Sequence, residues 1–149
     1  MFNKISIGLV GALGILAASA TVVSARSVVA TDGRPLNGAQ WGCFNANVGT
    51  GAVTSTCNAN FEIPLVLDTF GAKVVNMSAR ATAGGAACRS VGNNRVGTAF
   101  TASPWVPVPV AAGFVNMNLA GAVVPGNGVL FVDCVTNPGT SFIQFDYAP

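Results

Sequence analysis

Four cysteines without a single histidine constrain this chain more than any other feature. Cys43, Cys57, Cys88 and Cys134 form an even set in 149 residues. Zinc-binding cysteines come in short-spaced pairs, commonly joined by His, and the chain has neither. The four thiols therefore read as two disulfides, which form and persist in oxidising compartments. Three pairings are open. Cys43 and Cys57 are separated by glycines and small residues and would close a loop of about 15 residues, worth about 3 kcal/mol. Cys88 and Cys134 each sit within a β-type run, and their bond would close about 47 residues, worth about 4 kcal/mol. These two pairs are the expectation. The crossed arrangement, Cys43 with Cys88 and Cys57 with Cys134, is the rival.

Hydrophobic residues make up 51% of the chain and charged residues only 8%, so a membrane protein has to be considered. A spanning helix needs about 20 apolar residues in succession. The one candidate is N-terminal, and its parts are those of a secretory signal. Residues 1–4 carry one positive charge, Lys4; residues 5–18 are apolar and uncharged; Val23-Ser24-Ala25 then sets small or aliphatic side chains before Arg26. Cleavage is expected after Ala25, with Ala20 as second choice. Residues 1–25 are thus a signal peptide and residues 26–149 one secreted or periplasmic domain, with no membrane span after cleavage. That domain keeps Arg26, Arg34, Lys73, Arg80, Arg89 and Arg95 against Asp32, Glu62, Asp68, Asp133 and Asp146, a net charge of +1. The charges are scattered, so no long-range field draws the chain to nucleic acid or anionic lipid.

The secreted part shows no helical period. Short β-type runs alternate with Gly, Asn and Pro punctuation. Residues 61–67, 73–80, 86–90, 96–102, 114–119, 129–135 and 141–147 read as strands, with 129–135 as the central one. Pro64 suits an edge or a bulge. Gly92-Asn93-Asn94 and Pro125-Gly126-Asn127-Gly128 read as turns, and Asn137–Thr140 as the turn of a hairpin joining the last two strands. Residues 26–37 read as a leader strand or extended arm. Residues 103–110, with three prolines among Trp and Val, read either as a polyproline segment or as a proline-blocked edge strand, and the edge strand is favoured. The sum is all-β: a single-domain antiparallel β-sandwich, Ig-like or jelly-roll-like, with two disulfides.

The order of cysteines and strands resembles a group of small secreted four-cysteine β-sandwich proteins of Gram-negative bacteria, myxobacteria among them. Trp41-Gly42-Cys43, Thr56-Cys57 ahead of Ile63-Pro64-Leu65-Val66, the mid-chain Cys88, and Val132-Asp133-Cys134 ahead of Asn137-Pro138 and Phe145-Asp146-Tyr147 carry the resemblance. It implies a fold and a compartment, and no chemistry.

Catalytic groups are scarce. Without His no Ser-His or Cys-His nucleophile can be assembled. Of the carboxylates, Asp68, Asp133 and Asp146 lie in or beside strands and could in principle act as a pair in glycoside hydrolysis, but outward-facing solvated positions are the ordinary place for such acids. Clustered acids for calcium are absent. Asn76-Met77-Ser78 has the form of a glycosylation sequon within a strand. The aromatics remain: Trp105 and Trp41 are the candidate ligand-binding residues, since an exposed Trp stacks on sugars or anchors a protein partner. For Trp41 the competing expectation is packing against a disulfide, as a core Trp does in many sandwiches. The sequence therefore reads as non-enzymatic, with no cofactor or metal: a secreted structural or interaction domain whose partner is a protein or glycan. Its alternatives are an adhesin-like glycan- or protein-binding module and a pilus-type subunit. Tyr147, third from the end of the sequence rather than penultimate, fits the pilus pattern poorly.

Overall fold

The structure, a computed structural model, describes residues 25–148. The expected signal peptide therefore lies outside the described residues except for Ala25. Among the described residues no helix is long and apolar enough to cross a membrane.

Among the described residues, twelve strands build two antiparallel sheets. They are β1 (Arg26–Val29), β2 (Arg34–Pro35), β3 (Phe44–Asn47), β4 (Ala52–Ser55), β5 (Ala59–Leu65), β6 (Gly71–Arg80), β7 (Ala87–Asn93), β8 (Phe100–Ala102), β9 (Val106–Pro107), β10 (Val115–Val124), β11 (Val129–Thr136) and β12 (Ser141–Tyr147). Sheet A runs β10-β6-β12-β4-β3, with β1 also paired to β12. Sheet B runs β2-β5-β11-β7-β8, with β9 also paired to β7. Two short 3-10 turns, Ala30–Asp32 and Gly38–Cys43, complete the described chain. From β4 to β7, and again from β10 to β12, successive strands alternate between the sheets. That is jelly-roll-like crossing rather than a meander within one sheet.

The alternation of side chains along each strand sets the core. β5 buries Phe61, Ile63 and Leu65; β6 buries Val75, Met77 and Ala79; β11 buries Leu130, Val132 and Cys134. Each fully buried large side chain is worth about 1.5–3 kcal/mol, so a slip of one residue would turn that gain outward. Phe61 stacks on Phe142 across the sandwich at 5.8 Å between ring centroids, and Phe142 meets Phe145 at 6.4 Å. Tyr147 is buried too, and its hydroxyl accepts the Val66 N–H at 3.0 Å.

Both expected disulfides are present, Cys43–Cys57 and Cys88–Cys134. Cys88 and Cys134 are register partners on β7 and β11, with Cα atoms 4.1 Å apart, and both are fully buried. The bond therefore ties neighbours within sheet B rather than the two sheets.

Several expectations are corrected, while the leader strand and the proline-blocked edge strand are as expected. β11 is central in sheet B, as expected, but it forms no hairpin with β12. β5 and β7 already occupy both sides of β11, so the chain crosses at Asn137–Thr140 and enters sheet A between β6 and β4. That turn is fixed to β4 instead: Ser55 N–H donates to Thr140 O and Gly139 N–H to Ser55 O, both at 2.8 Å. The turn expected at Gly92 starts at Asn94, because β7 runs on through Asn93. Asn94 Oδ1 accepts from the Thr98 and Ala99 N–H groups and holds that loop. Gly92 is needed for a different reason, since a Cβ there would overlap the Val123 carbonyl of β10. Residues 26–37 are no free arm. β1 joins sheet A and β2 joins sheet B, so the segment stitches both sheets together. The proline-rich stretch forms the short edge strand β9, with the Val108 N–H on Ala86 O at 2.9 Å. Pro64 lies where β2 no longer flanks β5, so its missing N–H interrupts no ladder on that side.

Candidate functional site

The disulfide sets the register of the site. Because Cys88 opposes Cys134 in antiparallel strands, Arg89 must oppose Asp133, and both face outward, opposite to the buried cysteines. The next pairings extend this row over sheet B: Asp133 opposes Glu62 on β5, and Glu62 opposes Arg34 on β2. At the other end Val106 opposes Cys88, which sets Trp105 beside Arg89.

Arg89 is the centre of the row. Its Nε and Nη2 donate to Asp133 Oδ2 at 3.1 and 3.0 Å. Its guanidinium carbon lies 4.3 Å from the Trp105 ring centroid and 5.7 Å from that of Phe100. Arg34 pairs with Glu62 at 3.3 Å. The Arg89–Asp133 pair is mostly buried, with side-chain exposures of 27% and 16%. A guanidinium fixed this way is a pre-organised support for an aromatic ring. Trp105 nevertheless keeps 42% of its surface and Phe100 56%. Asn93, the register partner of Phe100, has a buried side-chain oxygen with no hydrogen-bond partner among the described residues. Such an acceptor is costly unless water or a ligand meets it. The row is electrically balanced, two cations against two anions.

The arrangement is suited to binding. Aromatic rings and a fixed guanidinium are recognition groups, and the Asn93 acceptor beneath them is buried and unpaired. The carboxylates of the row are engaged, Asp133 and Glu62 with arginines, and away from it Asp68 pairs with Arg26 at 2.5 Å and Asp146 with Ser27 and Gln144. No group of three or more His, Cys, Asp or Glu among the described residues is placed to hold a metal ion.

The structure does not bring the two tryptophans together. Trp41 lies in the 3-10 turn between β2 and β3, at the sandwich edge opposite β8 and β9, and is 61% exposed. It does not serve as the core Trp. Phe44, three residues on, packs half-buried against the core, 4.7 Å from Phe61. Sequence reasoning missed Arg89, Phe100 and Asn93. The signal for Arg89 was available, because the expected Cys88–Cys134 pairing already implies the Arg89–Asp133 opposition.

Two of the open depressions among the described residues lie elsewhere. One of about 420 Å³ is on the outer face of sheet A, lined by Asn76, Asn116, Asn118 and Asp146. The other, about 290 Å³, lies at one end of the sandwich between Leu67, Phe70, Arg95 and Asn127.

No protein-family model matches this chain, and no curated protein matches it in sequence. Solved structures do match in fold. The chain is similar to the C-terminal CBM6 of a laminarinase from Zobellia galactanivorans, with 11% identity, TM-score 0.54, and 85% of this chain and 100% of that one covered. It is similar to the carbohydrate-binding module of Cellvibrio mixtus lichenase 5A, solved with cellotriose, with 10% identity, TM-score 0.52, and coverage of 83% and 96%. It is also similar to part of the exo-β-1,3-galactanase of Phanerochaete chrysosporium, with 14% identity and TM-score 0.53, over 83% of this chain and 29% of that one. At these identities the likeness is one of fold: a two-sheet β-sandwich of the shape those modules share.

Proposed function

We propose that this chain is an exported, non-catalytic glycan-binding β-sandwich whose ligand lies against Trp105 and Phe100 on the outer face of sheet B. One observation carries the reading. Trp105 is half-exposed yet backed by a guanidinium that Asp133 holds in place. A free aromatic on a surface costs solvation and order, and fixing it in advance lowers the entropy lost on binding. Sugar rings offer apolar C–H faces to stack on such a ring and hydroxyls for the flanking polar groups. The balanced charge of the row favours an uncharged ligand. Modules that bind carbohydrate, or belong to enzymes acting on it, share the fold, which supports the reading at the level of architecture. A pilus-type subunit is less well supported, since residues 26–37 are already built into both sheets.

Export is the other half of the proposal. Two disulfides fit an extracellular or periplasmic protein. Strand β1 begins at Arg26, so cleavage after Ala25 would leave the strand whole. N-terminal sequencing of the exported protein should begin at Arg26; a start at Met1 would contradict a cleaved signal.

Trp41→Phe leaves Trp105 as the only tryptophan, and Trp41 is remote from the site. Titrating this variant with cellotriose, laminaritriose and galactobiose should give a saturable fluorescence change with at least one of them. A flat signal across these and longer neutral glycans would overturn the reading.

A further inference from the structure

The outer face of sheet A presents two rows of hydrogen-bonding side chains. Register sets Asn118, Asn76, Asp146 and Ser27 side by side across β10, β6, β12 and β1. Two residues away, Asn116, Ser78 and Gln144 form a second row. The members are joined laterally. Asn118 Nδ2 donates to Asn76 Oδ1 at 2.8 Å, and Ser78 Oγ donates to Asn116 Oδ1 at 2.6 Å. Gln144 Nε2 donates to Asp146 Oδ1 at 2.7 Å, and the Ser27 hydroxyl donates to the same oxygen. The 420 Å³ depression lies over these rows.

From this we infer a second binding face, on sheet A, that takes an extended neutral polyhydroxylated chain. The inference rests on the glycan reading above and adds a site to it. Charge and chemistry choose the occupant. Asp146 is the one charged side chain in the two rows, and two donors already meet it, so neither an anionic nor a cationic partner is favoured. The two rows carry no aromatic side chain; the nearest on this face, Phe114 in the adjoining row, is engaged by the Arg80 guanidinium 5.4 Å from its centroid, so no free aromatic anchor of a protein interface stands among them. Amides and hydroxyls both donate and accept, as sugar hydroxyls do. Their lateral bonds hold them in place while amide hydrogens beyond those bonds remain for a ligand. Strands about 4.8 Å apart make a four-strand row about 14 Å long, which suits an oligosaccharide rather than a single ring.

The two sheets stack about 10 Å apart, so the Trp105 face and the amide face look in opposite directions. One domain with both faces occupied joins two glycan chains. A secreted domain of this kind has a structural role in a matrix as a direct result of its binding.

The test uses the oxidised domain, residues 26–149, against soluble mixed-linkage β-glucan, xylan and galactan, with calorimetry for stoichiometry and light scattering for cross-linking. Wild type should show two binding events and form large scattering particles with at least one polymer. Asn76→Ala/Asn118→Ala should lose one event and the particles while Trp105 fluorescence still responds, and Asn116→Ala should weaken the same event about tenfold. Trp105→Ala should lose the other event. Unchanged cross-linking by a folded Asn76→Ala/Asn118→Ala variant would overturn the second face and leave the glycan reading intact, as would loss of all binding in Trp105→Ala. No binding by wild type to any of the polymers, or to the short glycans above, would overturn both.

Discussion

At the scale of single residues, Arg89 has the most dependants. It neutralises Asp133, supports Trp105 and touches Phe100. Arg89→Ala should cost about 1–2 kcal/mol of stability, because Asp133 is left mostly buried without its charge-assisted bonds, and it should weaken glycan binding further by freeing Trp105. Arg89→Lys keeps the charge but loses the planar fork. It should recover most of the stability in a chemical denaturation curve and little of the binding. Equal recovery of both would show that Arg89 acts through charge alone. Residue types told part of this story in advance. Trp105 is identifiable as an exposed aromatic in a proline-rich edge. Arg89 looks like one more scattered charge until Cys88 is paired with Cys134, and then its partner follows from register alone. Asn93 is read from sequence as a turn residue, and only the continuation of β7 puts it beside Phe100.

At the scale of elements, the pattern revealed most of the longer strands, passed over β3 and β4, read all of 96–102 as a strand where only Phe100–Ala102 is one, and did not show which sheet takes each. The last two strands show why. Residues 129–135 and 141–147 have the length, alternation and tight turn of a hairpin, yet both sides of β11 are filled by strands from earlier in the chain. A pairing competition of that kind is decided by the whole sandwich and leaves no local mark. The close approach of β10 to β7 is likewise non-local. Gly92 fits under the Val123 carbonyl, and Thr101 Oγ1 bonds both the N–H and the carbonyl of Val123. This contact covers part of the free edge of β10, which would otherwise offer a row of unpaired backbone groups. Gly92→Ala should therefore destabilise by about 1–3 kcal/mol through overpacking, read as a lower denaturant midpoint with an unchanged slope. An unperturbed midpoint would mean that β10 can retreat without cost.

At the scale of the whole molecule, the two disulfides differ in what they restrain. Cys88–Cys134 spans 46 residues and Cys43–Cys57 spans 14. In the chain-entropy account the first is worth about 4 kcal/mol and the second about 3 kcal/mol. Cys88→Ala/Cys134→Ala also removes buried sulfur from the core, so it should lower stability more than Cys43→Ala/Cys57→Ala, whose loop lies at the sandwich edge. The reverse order in thermal unfolding of the two variants would contradict that ranking. The all-β class and the presence of two disulfides were legible from strand punctuation, cysteine count and missing histidine, because those depend on composition. The two opposed outer faces were not, because a face is assembled from strands distant in sequence: Asn76 meets Asn118, and Arg34 meets Glu62, only after the sheets are ordered.

The proposed ligand of this sandwich is a neutral glycan held against Trp105, and the decisive measurement is calorimetric titration of the wild-type domain and of Trp105→Ala with the best-responding neutral oligosaccharide. Trp105 keeps 42% of its surface exposed but its ring covers the Arg89 guanidinium, so the variant should lose about 1 kcal/mol of stability, stay folded, and yet bind at least tenfold more weakly, a loss of about 1.4 kcal/mol or more. Equal affinities for the two proteins would contradict the claim.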